Sequence, residues 1–149
     1  MKARLLLLTA LFCGLAWAVP APAQTRLGVR GGVYLDQDEV FLGGHLAHQI
    51  ERRLQFNPNL EYVLVERGSL FTINADFLYD LPSRSRTVFW VGGGLGISRF
   101  ALEDFRNTDS GLNLLMGVSF GRGPATPFLH VKLMMIGESQ LAVGGGFTF

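Results

Sequence analysis

The chain has a single cysteine, Cys13, and it stands inside an apolar run at the amino terminus. No second thiol exists for it to pair with, so neither a disulfide within the chain nor a multi-thiolate metal site holds the fold. Long apolar stretches are also lacking. Beyond residue 24 nothing approaches the roughly 20 residues of a spanning helix, so a membrane is crossed by strands or not at all. Charge of one sign is missing as well: the formal net charge is +1, with 13 basic and 12 acidic residues. Lys2 and Arg4 account for two of the basic ones, and without them the balance turns slightly acidic, so nothing in the charge suggests a nucleic-acid binder.

The amino terminus does contain a positive start, Met1-Lys2-Ala3-Arg4, then an uncharged apolar run from Leu5 to Ala18, then the small-residue site Ala21-Pro22-Ala23. This order is that of a secretory signal peptide. Residues 1–23 are expected to be cleaved after Ala23, leaving residues 24–149 as one domain. The run is about 14 residues, short of a spanning anchor, and Pro20 and Pro22 prevent a helix from continuing beyond it. Cys13 lies mid-run behind Phe12, whereas a lipid-bearing cysteine closes such a run behind a small residue.

Nineteen glycines and twelve phenylalanines, with alternation in place of helical periodicity, read as strands and turns. Turn-forming clusters mark off eight segments: Thr25–Leu35, Val40–Ile50, Leu54–Val65, Leu70–Leu81, Thr87–Arg99, Gly111–Phe120, Pro127–Ile136 and Gln140–Phe149. They run to about 10–13 residues, longer than a typical soluble strand and near the 9–11 that cross a bilayer at a tilt. The connectors are short, except for an expected loop over Phe100–Ser110.

Alternation sorts the side chains onto two faces. Leu27, Val29, Leu42, Leu60, Ile73, Phe77, Leu95, Leu114, Met116 and Leu129 belong to one; Arg30, His45, Asn57, Asn59, Glu61, Asn74, Asp76, Asn113, His130 and Lys132 belong to the other. A polar inside within an apolar jacket is what lipid around a closed sheet requires. The expected fold is therefore all-β, an eight-stranded antiparallel up-and-down transmembrane β-barrel. The alternative is a soluble periplasmic lipocalin-like barrel with the same faces reversed and a hydrophobic ligand inside.

The inner charges Arg30, Glu61, Asp76 and Lys132 are the first candidates for chemistry. A barrel of this size has room only for its own side chains. These charges are therefore expected to form a paired polar network, because an unpaired charge in a dry lumen costs several kcal/mol; a gate or proton path is the functional alternative. His45 and His130 face inward and His48 outward, so they form no common metal site, and neither metal nor cofactor is expected. A hydrolase triad of Ser119, His130 and an acid such as Asp76 lacks a supporting motif, and no catalytic residue is assigned. The run Gly92-Gly93-Gly94-Leu95-Gly96 precedes no helix and no Gly-Lys-Ser/Thr, so it is not a phosphate loop. Inward glycines instead make room for bulky residues such as Tyr34 or Trp90. Phe128, Trp90, Tyr62, Tyr79 and Phe149 are expected in interfacial girdles. Glu103, Asp104, Arg106 and Asp109 in the Phe100–Ser110 loop form the candidate partner site.

The last residues, Leu141-Ala142-Val143-Gly144-Gly145-Gly146-Phe147-Thr148-Phe149, alternate through to an aromatic end. A strand of this kind leaves a sticky edge unless it closes on the first strand. This segment resembles the closing strand of bacterial outer-membrane barrels, and Val88 to Phe100 resembles the glycine-rich fifth strand of porin-family β-barrel proteins. Across Thr25 to Phe149 the chain looks like a small OmpA/OmpX-like barrel. The resemblance implies a non-enzymatic, monomeric protein of the Gram-negative outer membrane with a filled lumen and a periplasmic amino terminus, contributing to envelope integrity or surface interaction. It implies outer-membrane lipid as surroundings, periplasmic chaperones and the barrel-assembly machinery as partners in biogenesis, and Phe149 as the assembly signal. A lipid-modifying outer-membrane enzyme is the other alternative.

Overall fold

The computed structural model describes residues 25–102, 105–121 and 123–149; the expected signal peptide lies outside them. The strands are β1 (Thr25–Tyr34), β2 (Glu39–Gln49), β3 (Leu54–Leu64), β4 (Ser69–Asp80), β5 (Thr87–Leu102), β6 (Phe105–Phe120), β7 (Thr126–Ile136) and β8 (Glu138–Thr148). Each pairs antiparallel with the next, and β8 returns to β1 to close the barrel. The seam runs from Gly28↔Thr148 to Tyr34↔Ala142. It is lengthened at both ends, where Leu35 N donates to Leu141 O at 2.8 Å and Phe149 N donates to Leu27 O at 2.6 Å. Closure satisfies the ladder groups that an open edge would expose.

One end of the barrel carries Thr25, Phe149 and the β2–β3, β4–β5 and β6–β7 turns; we refer to it as the turn end. The other carries the four remaining hairpins. There the β1–β2 connection is tight enough to hold Asp38 at φ 53°, and the β7–β8 connection is Gly137 alone, at φ 65°, between the paired Ile136 and Glu138. An aspartate tolerates the left-handed region and glycine enters it without strain. The single-residue turn is shorter than the Gly137–Ser139 connection read from the sequence.

The β5–β6 connection departs further from expectation. Phe100–Ser110 is not a loop: β5 continues to Leu102, and β6 begins at Phe105, with pairing from Ser98↔Asp109 to Leu102↔Phe105. A two-stranded ribbon satisfies its backbone pairwise without an apolar face, which is why a charged, poorly alternating sequence can adopt it. On one side β4 follows β5 as far as Ser69↔Ala101, whereas on the other β7 leaves β6 at Leu112↔Met135. The ribbon therefore continues the barrel wall on its β4 side and is free on its β7 side, an arm whose outer strand is Phe105–Ser110.

Inside, a polar middle is closed by an apolar cluster toward each end. Tyr34, Phe41, Val63, Met134, Ile136 and Ala142 pack toward the hairpin end; Leu78, Trp90, Leu115 and Phe128 pack toward the turn end. Trp90 and Phe128 are thus core residues and not girdle aromatics, since their strand parity is that of Gly92 and His130. Tyr62, Tyr79 and Phe149 are exposed as expected.

The inner glycines fit these bulky groups. A Cβ on Gly117 would lie 2.3 Å from Trp90 Cζ2 and 2.5 Å from Leu129 O, whereas one on the outward Gly93 meets nothing closer than 3.4 Å. Gly117→Ala is expected to destabilise the barrel by about 1–3 kcal/mol, the usual cost of overpacking, and Gly93→Ala much less. Chemical unfolding in detergent checks this; equal midpoints for the two variants would refute the packing argument.

Candidate functional site

Glu61 is the centre of the lumen. Its strand, β3, turns Asn57, Asn59 and Glu61 inward, and Gly43 on β2 lies opposite, where a Cβ would come within 3.0 Å of Glu61 Cγ. One carboxylate oxygen, Oε2, accepts from Lys132 Nζ at 2.5 Å, from the Tyr34 hydroxyl at 2.9 Å and from Thr72 Oγ1 at 3.2 Å. The other, Oε1, faces Arg30 Nη1 at 3.6 Å. Lys132 also sits 5.7 Å from the centroids of the Tyr34 and Phe41 rings. Glu61, Asp76 and Lys132 are each 0% exposed, so these charges survive in low dielectric only because partners replace their water.

The structure brings three of the four predicted inner charges into ion pairs and leaves the fourth to amides. Asp76 Oδ2 accepts from Asn59 Nδ2 at 2.8 Å, and Oδ1 accepts from Asn113 Nδ2 at 3.0 Å. Asn74 Nδ2 donates to Asn59 Oδ1 at 2.9 Å, and Asn113 Nδ2 donates to Asn74 Oδ1 at 2.8 Å. Arg30 extends the network to Asn57 Oδ1 at 2.8 Å. Sequence reasoning singled out the charges but did not assign the asparagines this role; their inward parity on adjacent strands was the available signal.

The histidines are dispersed. His45 Nε2 lies 3.0 Å from Thr148 Oγ1, and His48 pairs with Thr25 on the outside through a 2.7 Å contact. His130 is buried against Phe128, ring centroids 5.8 Å apart, and neither of its ring nitrogens has a protein partner. Ser119 Oγ instead accepts from Trp90 Nε1 at 3.1 Å. The imagined Ser119–His130 pair is therefore not assembled. Of the candidate partner site, Arg106 and Asp109 lie on the exposed arm, while Glu103 and Asp104 lie outside the described residues.

Toward the turn end the lumen opens into a cavity of about 570 Å³. Arg26, Arg30, His45, Arg52 and Arg53 line one side of it, and Leu78, Trp90, Leu115 and Phe128 the other. Arg26 Nη2 contacts Thr148 O at 2.7 Å, Gly123 O at 3.1 Å and Thr126 Oγ1 at 3.1 Å, joining the β6–β7 turn to the closing seam.

Charge is segregated along the barrel axis. Among the described residues the turn end holds Arg26, Arg52, Arg53, Arg84 and Arg86 against Glu51 and Asp80. The hairpin end holds Asp36, Asp38, Glu39, Glu66, Asp109 and Glu138 against Arg67, Arg99 and Arg106. The four luminal charges cancel.

A closed eight-stranded antiparallel barrel, apolar on all sides without and polar within, is the architecture of the small transmembrane β-barrels. The structure is similar to the crystal structure of the N-terminal β-barrel domain of Pseudomonas aeruginosa OprF, with a TM-score of 0.74 and 12% identity, covering 85% of this chain and 96% of that one. It is also similar to Neisserial surface protein A, NspA, with a TM-score of 0.64 and 16% identity over 84% of this chain and 93% of that one. A de novo designed transmembrane β-barrel matches at a TM-score of 0.60 and 12% identity, over 87% and 98%. No protein-family model and no curated protein sequence matches the chain. At such identities the likeness is one of fold.

Proposed function

We propose that the chain is an integral outer-membrane β-barrel protein of a Gram-negative envelope, non-enzymatic and without an open channel, acting in envelope integrity or surface interaction. The observation that carries this is the outer wall. Leu27, Leu42, Ile73, Phe89, Leu95, Leu114 and Leu129, drawn from six different strands, are all exposed, while every charge in the middle of a strand is buried inside. In water such a wall aggregates; in lipid it is the required surface. The soluble-carrier alternative needs an apolar lumen, and this lumen is occupied by the Glu61 and Asp76 networks. An enzyme is disfavoured by the separation of Ser119 from His130.

In this reading the turn end faces the periplasm, the arm bearing Arg106 and Asp109 faces outward, and the lumen network is structural. A closed barrel resists dodecyl sulfate until heated. The protein purified from membranes in mild detergent is expected to migrate differently before and after boiling and to fractionate with the outer membrane. A freely soluble chain with no mobility shift refutes the reading.

A further inference from the structure

We infer that the turn-end rim carries a binding cleft for the phosphate of a membrane-lipid headgroup, formed between the β4–β5 and β6–β7 turns. This rests on the membrane reading above and adds a ligand to it.

The cleft is lined by Ser83, Arg84, Ser85, Arg86, Gly121 and Gly123, with no carboxylate among them. It has a rigid frame. Ser83 Oγ and Ser85 Oγ both donate to Thr87 O, at 2.8 and 2.9 Å, and Thr87 N donates back to Ser85 Oγ at 3.1 Å. Gly121 N donates to Arg86 O at 2.9 Å and ties the two turns together. The serines are thereby committed to the turn, while both guanidinium groups stay exposed. Neither Arg84 nor Arg86 takes part in an ion pair between described residues; both such pairs are in the lumen. On the opposite wall a Cβ at Gly121 or Gly123 would meet nothing within 4 Å, so the cleft has free space beside the backbone.

Height selects the occupant. Leu81, Phe89 and Phe120 are the last exposed apolar side chains above the cleft. Thr87 pairs with Phe120, and Leu81 N donates to Phe89 O at 2.8 Å, so the apolar wall ends within about three residues of the arginines. Acyl chains lying on Phe89 and Phe120 bring their phosphate level with Arg84 and Arg86. Guanidinium groups bind phosphate oxygens through paired, charge-assisted hydrogen bonds. The excess of arginine over carboxylate at this rim attracts an anionic lipid surface as a whole, and the cleft gives that attraction a defined seat.

The test uses the barrel reconstituted in phosphatidylcholine vesicles, after its heat-dependent mobility shift has been confirmed. Electron paramagnetic resonance then compares the association of spin-labelled phosphatidylglycerol with that of spin-labelled phosphatidylcholine at low salt. One basic residue close to an anionic lipid changes such a ratio by about fivefold, so the wild-type barrel is expected to prefer phosphatidylglycerol by at least that factor. Arg84→Gln with Arg86→Gln should lower the ratio at least fivefold with the mobility shift intact, whereas Arg67→Gln at the other end should leave it unchanged. A folded barrel with no preference, or a double variant at Arg84 and Arg86 that keeps it, overturns the inference alone. Loss of the preference on adding inorganic phosphate at constant ionic strength assigns the cleft to free phosphate and overturns the lipid occupant. A chain with no mobility shift overturns the membrane reading and this inference together.

Discussion

Glu61→Ala is expected to destabilise the folded barrel by about 3–5 kcal/mol, because it leaves buried cations without their counter-charge. Lys132 and Arg30 both face this carboxylate, and neither has an alternative acid in ion-pair range among the described residues. Tyr34 and Thr72 lose their acceptor in the same step. Urea unfolding in detergent measures the effect, and Trp90 supplies the fluorescence signal, since the chain's other tryptophan is Trp17 in the amino-terminal segment. A change below about 1 kcal/mol, the scale of a surface pair, would mean that Glu61 is not the anchor. Replacing the group together, Glu61→Leu with Lys132→Met and Arg30→Met, should recover much of the loss. Removing a whole buried ionic group for apolar side chains of similar volume is often neutral, whereas removing one member is not.

Leu95→Arg is expected to cost about 2–4 kcal/mol in a bilayer, the range for arginine at the lipid-facing midplane of a barrel. Leu95 is 64% exposed on β5, paired with Ala75 and Leu112, far from either rim. If the same wall faced water, an arginine there would be an ordinary surface substitution worth no more than about 0.5 kcal/mol. Unfolding from vesicles therefore discriminates between the two solvents in one measurement. A neutral result would overturn the membrane reading, because no luminal contact is touched. The two predictions are complementary: Glu61 probes the inner face of the pleat and Leu95 the outer.

Much of the fold was legible because a strand's side chains repeat every two residues and each face here has its own solvent. Asn57, Asn59 and Glu61 on one parity and Phe56, Leu60 and Tyr62 on the other assign β3 without any partner. The β5–β6 arm was not legible. Its residues obey no face because no face is buried there, and a charged ribbon and a charged loop look alike in sequence. Trp90 and Phe128 were assigned to a girdle because an aromatic near a strand end suits a membrane interface as well as a core. Only their packing with Leu78 and Leu115 separates the two.

The candidate site divides in the same way. Arg30, Glu61, Asp76 and Lys132 were identifiable as inward charges, but which of them pair depends on registers set by eight adjoining ladders and on how far each side chain reaches across the lumen. That geometry gives Glu61 both cations and leaves Asp76 to Asn59 and Asn113. The arginine cleft needs the β4–β5 and β6–β7 turns side by side, a juxtaposition of segments more than thirty residues apart. By itself the sequence determined the strand count, the two faces and the requirement for closure, because alternation and turn chemistry are local. Pairing across the lumen, the projecting arm and the cleft were decided only by the tertiary structure, because each depends on distances between strands that no local pattern encodes.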